Sequence, residues 1–130
     1  MASIFTRIIQ GEIPAYKIAE TEQFLAFLDV FPLVEGHVLV IPKQEVDNIF
    51  DLEPALLQAL FGFAQQVAKA IEKSVSCKKV GVAVIGLEVP HAHIHLVPIQ
   101  EVGDINFSKP KLKLAPEQLS SMQEQIRAAF

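Results

Sequence analysis

The sequence predicts an α+β fold in which an antiparallel sheet carries helices against one side. A main helix is indicated because apolar residues recur every three to four positions through residues 51–75. Strands are indicated because five short apolar runs are bounded by turn residues. With 130 residues, 51% of them hydrophobic and 20% charged, the chain is expected to form a single domain, residues 1–130, with its own core.

The first part of the chain is expected to form one short helix and three strands. Ser3 is a candidate N-cap for a helix that continues to Gln10 and ends at Gly11. The strands are predicted at residues 16–20, 24–29 and 37–41. The third run is strongly β-branched and apolar, so we expect a central strand there.

The main helix is expected to begin at Asp51 as its N-cap, with Glu53 and Pro54 in its first turn. Its apolar stripe contains Leu56, Leu57, Leu60, Phe63, Ala64, Val67, Ala68 and Ile71. After this helix we expect two strands, an irregular segment and a terminal helix, at residues 79–85, 91–99, 103–113 and 116–130.

Composition and charge exclude several classes of protein. The formal net charge of −4 gives no electrostatic reason to bind nucleic acid or an acidic membrane surface, so we expect neither partner. Cys77 is the single cysteine, which excludes an intrachain disulfide and a cysteine-based zinc cluster. No apolar run reaches the roughly 20 residues that a transmembrane helix needs. We therefore expect a reduced, cytoplasmic protein.

Three of the four histidines occupy alternate positions in the run His91-Ala92-His93-Ile94-His95. Side chains two residues apart point to the same face of a strand, so the three imidazoles are expected to share one face. Packing alone does not favour such a surface, because each buried imidazole needs its own partner. Imidazole is also the side chain best suited to proton transfer and nucleophilic attack near neutral pH. The run is therefore the main candidate for a functional site.

Three interpretations of this run remain open on the residues alone. The histidines could be buried structural residues, each with its own hydrogen-bond partner. They could bind a metal, but His91 and His95 would lie about 13 Å apart in an extended strand, so a ligand would have to come from elsewhere. The candidates for that ligand are Asp29, Glu35, His37 and Glu88. The third interpretation is nucleophilic catalysis on a phosphate, with the central imidazole as nucleophile and its neighbours holding its tautomer and the leaving group.

The residues also carry a resemblance that covers nearly the whole chain. Residues 91–97, His-Ala-His-Ile-His-Leu-Val, fit the pattern His-φ-His-φ-His-φ-φ, in which φ is hydrophobic. This pattern is the hallmark of the histidine triad (HIT) family, and the chain resembles its small Hint-like branch. Four further blocks match in the family's order, at residues 8–14, 25–29 with Pro32, 36–43 and 48–52. The resemblance implies a HIT-like antiparallel sheet with a main helix, a short N-terminal helix and a C-terminal helix.

The resemblance implies a role for each matching residue. His93 would attack the α-phosphate of a nucleotide and form a nucleotidyl-histidine that water resolves. His91 and His95 would hydrogen-bond phosphate oxygens and the leaving group, and His37 would support His93 from the neighbouring strand. Asp29 would accept hydrogen bonds from the ribose hydroxyls. An apolar wall around a purine, for which ordinary core packing is the alternative explanation, would contain Ile4, Phe5, Ile8 and Val30.

Two departures from the family pattern bear on the site. Many family members hold a structural zinc with the first triad histidine, two N-terminal cysteines and a histidine after Pro-Lys. Here Ser3, Thr6 and Glu45 occupy those three other positions, so we expect no metal. Where the family often has Gly-Gln-Ser or Gly-Gln-Thr near the α-phosphate, this chain has Gly86 followed by Leu87 and Glu88, which become candidate nucleotide-binding residues. A carboxylate about 4 Å from a phosphate would repel it by about 4 kcal/mol at an effective dielectric constant near 20.

These matches imply a nucleotide hydrolase or transferase that acts at the α-phosphate of a purine nucleoside phosphate of phosphoramidate or dinucleotide type. The alternative, prompted by the Leu87-Glu88 replacement, is a HIT-fold module that binds nucleotides with little or no catalysis. The resemblance also implies a homodimer joined across the main helix and the adjoining strand. We expect no cofactor.

Overall fold

The computed structural model describes residues 2–130, and its strands form one antiparallel sheet in the order β1-β2-β3-β5-β4. The strands are β1 (Lys17–Glu20), β2 (Phe24–Leu28), β3 (Val38–Pro42), β4 (Lys79–Ala83) and β5 (Ile94–Ile99). The helices are α1 (Ile4–Ile9), α2 (Pro54–Ser74) and α3 (Pro116–Arg127), and 3₁₀ turns lie at Ile49–Asp51 and Val102–Ile105. The α+β class and the three predicted helices are confirmed.

The sheet has a hydrophobic core on each face, because successive strand residues point to opposite faces. On one face, alternate residues such as Ala26 and Ile94 pack against α2 and α3. On the other face, Leu25 and its neighbours pack against Phe5 and Ile8 of α1. The expectation that the helices lie against one side of the sheet holds for α2 and α3 and was wrong for α1. The short helix α1 presents two apolar residues less than one turn apart to the second face, where Ile13, Ala15 and Val89 also pack.

The main helix begins at Pro54, and the prediction that Asp51 is its N-cap was wrong. Instead, the Asn48 side chain caps the 3₁₀ turn over Ile49–Asp51. Glu53 has a ψ of 141°, the extended conformation that a residue before proline prefers. Pro54 can then start the helix without losing a hydrogen bond, because the first N–H groups of a helix have no partner within it.

The strand that carries the histidines begins at Ile94, so His95 is the one triad histidine inside a strand. Before it, Ala92 N–H donates to the Val46 carbonyl at 2.7 Å instead of continuing the ladder with β3. The preceding strand β4 likewise ends at Ala83, the cross-strand partner of His95, and not at residue 85. The prediction of a strand over residues 91–99 was thus three residues too long at its start.

The remaining boundaries agree with the prediction to within one residue, except that α3 ends at Arg127 and not at residue 130. Ser3 caps α1 as predicted, and its side chain accepts a hydrogen bond from Thr6 N–H. Within residues 2–130, no helix combines the length and apolar character that crossing a membrane would require.

Candidate active site

The four histidines form one connected group on the α1 side of the sheet. The ring centroid of His95 lies 5.2 Å from that of His37 and 4.9 Å from that of His93. The Phe5 ring of α1 packs edge-to-face against His91 and His93, with centroid distances of 5.8 and 5.0 Å. The apolar residues between the triad histidines point into the opposite core. The predicted alternation therefore extends into the loop before β5.

His37 and His95 share a hydrogen bond whose direction is set by the backbone. Leu33 N–H donates to His37 Nδ1 at 3.0 Å, so a neutral His37 carries its proton on Nε2. That N–H donates to His95 Nδ1 at 3.0 Å, which leaves the proton of His95 on Nε2. Burial lowers the pKa of His37 to about 3 and that of His95 to about 4, so both rings are neutral at neutral pH. The pair thus presents one fixed donor, the Nε2–H of His95.

His93 holds the opposite tautomer. Its Nδ1–H donates to the His91 carbonyl at 2.7 Å, which leaves the lone pair of a neutral ring on Nε2. Burial lowers the pKa of His93, so the ring is neutral at neutral pH. The residue is only 6% exposed, but every fully buried side-chain nitrogen within residues 2–130 has a hydrogen-bond partner and His93 Nε2 has none. This nitrogen is therefore accessible from solvent, as a nucleophile must be.

His91 is fully buried and has no free ring nitrogen. Its Nε2–H donates to the Pro42 carbonyl at 2.8 Å, and its Nδ1 accepts the Ser3 hydroxyl at 2.8 Å. The ring therefore has no atom left for the phosphate contact that the family resemblance implies for it. Instead, the backbone carbonyl of His91 determines which nitrogen of His93 carries the proton. His91 acts on the site through His93.

Asp29 follows β2 directly and faces His37. Its Oδ1 accepts Phe31 N–H at 2.9 Å, and its Oδ2 lies 3.7 Å from His37 Nε2. Burial raises the pKa of Asp29. Because His37 is neutral and its Nε2 proton is directed at His95, the Asp29–His37 contact is not an ion pair. Oδ2 keeps acceptor capacity for a ligand hydroxyl.

Asp29, His37 and His95 also lie close enough to be considered as metal ligands, with donor atoms within 4.8 Å of one another. A metal would need a ring lone pair from each histidine. The Leu33 N–H occupies the Nδ1 lone pair of His37, and Nε2 carries the proton. A metal on Nε2 would reverse this tautomer and set two N–H donors against each other. The group therefore fits a proton network rather than a metal site.

The four residues predicted to form an apolar wall divide into two pairs. Phe5 and Ile8 are buried in the core on the α1 side. Ile4 and Val30 are 49% and 43% exposed. The exposed pair can contact a ligand directly, whereas Phe5 packs against His91 and His93 from within the core.

Leu87 and Glu88 lie in the exposed loop between β4 and β5. Leu87 is 89% exposed. The negative charge of Glu88 contributes to raising the pKa of Asp29 and opposes the lowering of the pKa of His93, so its carboxylate lies within electrostatic range of both groups. Gly86 turns the loop with a φ of 72°, a conformation that other residues rarely adopt. Glu88 is therefore placed to influence a bound anion.

The irregular segment before α3 supplies two site residues that the sequence analysis missed. Phe107 sets its ring against His95 with centroids 4.6 Å apart. Lys111 Nζ donates to the Phe107 carbonyl at 2.6 Å, and its charge lowers the pKa of His95 further. Leu112 N–H donates to the Pro32 carbonyl at 2.8 Å, which ties this segment to the loop after β2. No periodicity marks the segment, so no local signal in the sequence places it beside the histidines.

Comparison with known protein families, sequences and structures finds similarity to proteins of one family. The family model of the HIT domain matches residues 10–102. The adenosine 5'-monophosphoramidase hnt1 of Schizosaccharomyces pombe is 32% identical over 129 residues, which cover 97% of this chain and 96% of that protein. A HIT-like protein from Bartonella henselae, involved in cell-cycle regulation, has a similar structure with a TM-score of 0.86 and 29% identity, over 98% of this chain and 96% of that chain. A zinc-bound histidine triad family protein from Mycobacterium smegmatis has a TM-score of 0.81 and 30% identity, over 99% and 93%.

Proposed function

Since this chain belongs to the histidine triad family, we propose that it is a nucleotide hydrolase or transferase of the nucleoside phosphoramidase type. It cleaves the bond between the α-phosphorus of a purine nucleoside phosphate and a nitrogen or oxygen leaving group. The observation that carries the proposal is the free lone pair of His93 Nε2 in a ring that adjoins the Nε2–H donor of His95. The fission yeast relative, named an adenosine 5'-monophosphoramidase, supports phosphoramidates as the first substrates to test.

In the proposed reaction, His93 Nε2 attacks the α-phosphorus, a nitrogen–phosphorus bond forms and the bond to the leaving group breaks. The imidazole becomes positively charged, and its Nδ1–H bond to the His91 carbonyl stabilises that charge. The His95 Nε2–H donates to a phosphate oxygen or to the leaving atom. Water then attacks the nucleotidyl-histidine and frees His93. Over the cycle one water is consumed, with its hydroxyl retained on phosphorus and its remaining proton on the leaving group.

The nucleoside end of the substrate is assigned to Asp29, Ile4 and Val30. Asp29 Oδ2 has no partner among residues 2–130 closer than the 3.7 Å contact with His37, so it can accept a ribose hydroxyl. The exposed side chains of Ile4 and Val30 supply an apolar surface for a base. With these assignments, the apolar surface accepts different bases, whereas the Asp29 carboxylate requires a hydroxyl donor on the sugar.

The experiment is turnover of adenosine 5'-phosphoramidate by the wild-type protein, His93→Ala and the control Cys77→Ser. We expect His93→Ala to lose at least roughly 10³-fold in kcat/KM, because no other neutral imidazole offers a free lone pair. Cys77 lies beyond the end of α2, and Cys77→Ser should retain wild-type turnover. Rapid quenching and mass spectrometry should detect a nucleotidyl adduct on His93. Equal turnover by wild type and His93→Ala would remove this residue from the mechanism.

The second candidate function is nucleotide binding without turnover, which the charge of Glu88 near the site favours. Calorimetry with AMP separates it from the enzyme. Micromolar binding without adduct or turnover supports the binding module. If the protein neither binds AMP nor turns over the phosphoramidate, both functions are contradicted.

The proposal includes a homodimer that uses the free edge of the sheet. β4 is an edge strand, and the side chains of Val82, Val84 and Ile85 in and after it are exposed. Unpaired strand groups beside apolar side chains favour pairing with a second copy. Phe61 of α2 adds another exposed apolar side chain. Light scattering should give twice the chain mass, and a monomer mass at assay concentration would contradict this part of the proposal.

A further inference from the structure

Ser3, Thr6, Glu45 and His91 form one hydrogen-bonded cluster, which we call the His91 clamp. The Ser3 hydroxyl donates to His91 Nδ1 at 2.8 Å, and Thr6 Oγ1 lies 3.4 Å from the same nitrogen. Glu45 Oε1 accepts Ser3 N–H at 2.7 Å and the Thr6 hydroxyl at 2.6 Å. The hydroxyl oxygens of Ser3 and Thr6 are 3.3 Å apart. Four side chains from three separate parts of the sequence therefore converge on one point.

These are the positions at which many HIT proteins carry zinc ligands, but the donor set of the clamp does not fit zinc. Structural zinc takes four ligands from thiolates, imidazoles and carboxylates, whereas Ser3 and Thr6 offer neutral hydroxyls. The lone pair of His91 Nδ1 is already occupied by the Ser3 hydroxyl, and Glu45 Oε1 already accepts two donors. A metal would have to displace these hydrogen bonds without thiolates to replace them.

We infer that the His91 clamp takes the structural place of the metal and positions the nucleophile of this chain. The clamp joins α1, the loop after β3 and the loop that carries His91. With its Nδ1 bound to Ser3 and its Nε2–H bound to Pro42, the His91 ring is held from both sides. The adjoining His91 carbonyl is then fixed against His93 Nδ1. The positioning of His93 rests on the proposed function, whereas the replacement of the metal does not.

The first test is the metal content and thermal unfolding of the wild-type protein, expressed in zinc-supplemented medium. We expect far less than one zinc per chain and the same Tm with and without a strong chelator. Stoichiometric zinc, or a Tm that falls on chelation, would overturn the inference. Neither readout requires the protein to turn over a nucleotide.

The second test converts the clamp back to a metal site with the triple variant Ser3→Cys, Thr6→Cys and Glu45→His. Because the four side chains converge, this variant should bind about one zinc per chain, and zinc should raise its Tm. Adding His91→Gln to the triple variant should weaken that binding by at least roughly tenfold. A folded triple variant that binds no zinc would show that the four positions do not converge in solution.

The third test separates positioning from general stability with Glu45→Ala, Glu45→Gln and the control Glu22→Ala, another exposed glutamate. Ring ¹⁵N shifts of His91 and His93 should move in Glu45→Ala, and kcat should fall about tenfold with little change in KM. Glu45→Gln keeps an acceptor oxygen for Ser3 and Thr6, so it should restore the shifts and most of kcat. Ring shifts in Glu45→Ala that match those of Glu22→Ala would overturn the positioning role, whatever the activity proves to be.

Discussion

The two ends of the histidine group use the same side chain in opposite ways. At one end, His91 has both ring nitrogens bonded within the protein and is completely buried. At the other end, His37 Nε2–H donates to His95 Nδ1 and so fixes the tautomer of His95. The Nε2–H of His95 has no partner within residues 2–130. His93 lies between them with its Nε2 lone pair free. The difference shows that hydrogen-bond partners from the backbone, from Ser3 and from His37, and not the residue type, decide which imidazole nitrogen is left available for chemistry.

Of the two ends, the larger effect on turnover is expected at the His37–His95 end. His37→Leu removes the donor that holds the tautomer of His95, so kcat/KM should fall by roughly 10²-fold. His37→Gln can place an amide N–H where His37 Nε2–H stands, so it should lose less than about tenfold. Both are measured by phosphoramidate turnover. Equal losses in the two variants would mean that the His37 proton does not set the state of His95.

At the His91 end, the main effect should be on stability. His91→Ala removes a completely buried ring and two hydrogen bonds, and we expect the free energy of unfolding to fall by about 3 kcal/mol. His93→Ala removes a single ring hydrogen bond and should lose clearly less, about 1–2 kcal/mol. Urea titrations of both variants measure the difference. A larger loss of unfolding free energy in His93→Ala than in His91→Ala would contradict a mainly structural role for the His91 ring.

The pH dependence of stability tests burial across the whole group. The folded pKa of His95, about 4, lies below the unfolded value near 6.5, so the unfolded chain binds the proton first as pH falls. The contribution of His95 to the free energy of unfolding is therefore fully present above pH 6.5. It is lost progressively as the pH falls to about 4, by about 3 kcal/mol for His95 alone. His37, with a pKa of about 3, acts in the same direction. His37→Asn keeps an acceptor for Leu33 N–H and should flatten the decline, and an unchanged slope would contradict this account.

The smallest effect is expected at Glu88, in the exposed loop between β4 and β5. Glu88→Gln removes a negative charge near His93, so it should improve kcat/KM for dinucleoside polyphosphates more than for adenosine 5'-phosphoramidate. Because Glu88 is exposed, we expect a change in the ratio of roughly three- to tenfold at low salt. Leu87→Gln changes the neighbouring residue without changing charge and serves as the control. The same ratio in Glu88→Gln and wild type would exclude Glu88 from substrate choice.

The sequence predicted the parts of the fold that local chemistry determines. Ser3 caps α1, the apolar period of α2 lies on its buried side, and alternation puts the imidazoles on one face. It misplaced the start of α2, because the asparagine-capped turn and the extended residue before Pro54 outweigh the capping potential of Asp51.

The chemical state of each histidine could not be read from the sequence. The partners that set the tautomers are the Leu33 N–H and the carbonyls of Pro42 and His91, and backbone groups carry no residue signature. Phe107 was missed for a similar reason, because an irregular segment reaches His95 only through the tertiary fold. For Ser3, Thr6 and Glu45, the sequence shows only that zinc-binding residue types are missing at these positions. Their mutual hydrogen bonds arise from the tertiary fold and could not be predicted.

The tautomers of the four histidines can be measured by long-range ¹H–¹⁵N NMR of the rings in the ligand-free wild-type protein at neutral pH, with each ring assigned by substitution. We predict that His93 carries its proton on Nδ1, whereas His37, His91 and His95 carry theirs on Nε2. A His93 ring protonated on Nε2, or on both nitrogens at that pH, would leave no lone pair to attack phosphorus and would contradict this prediction.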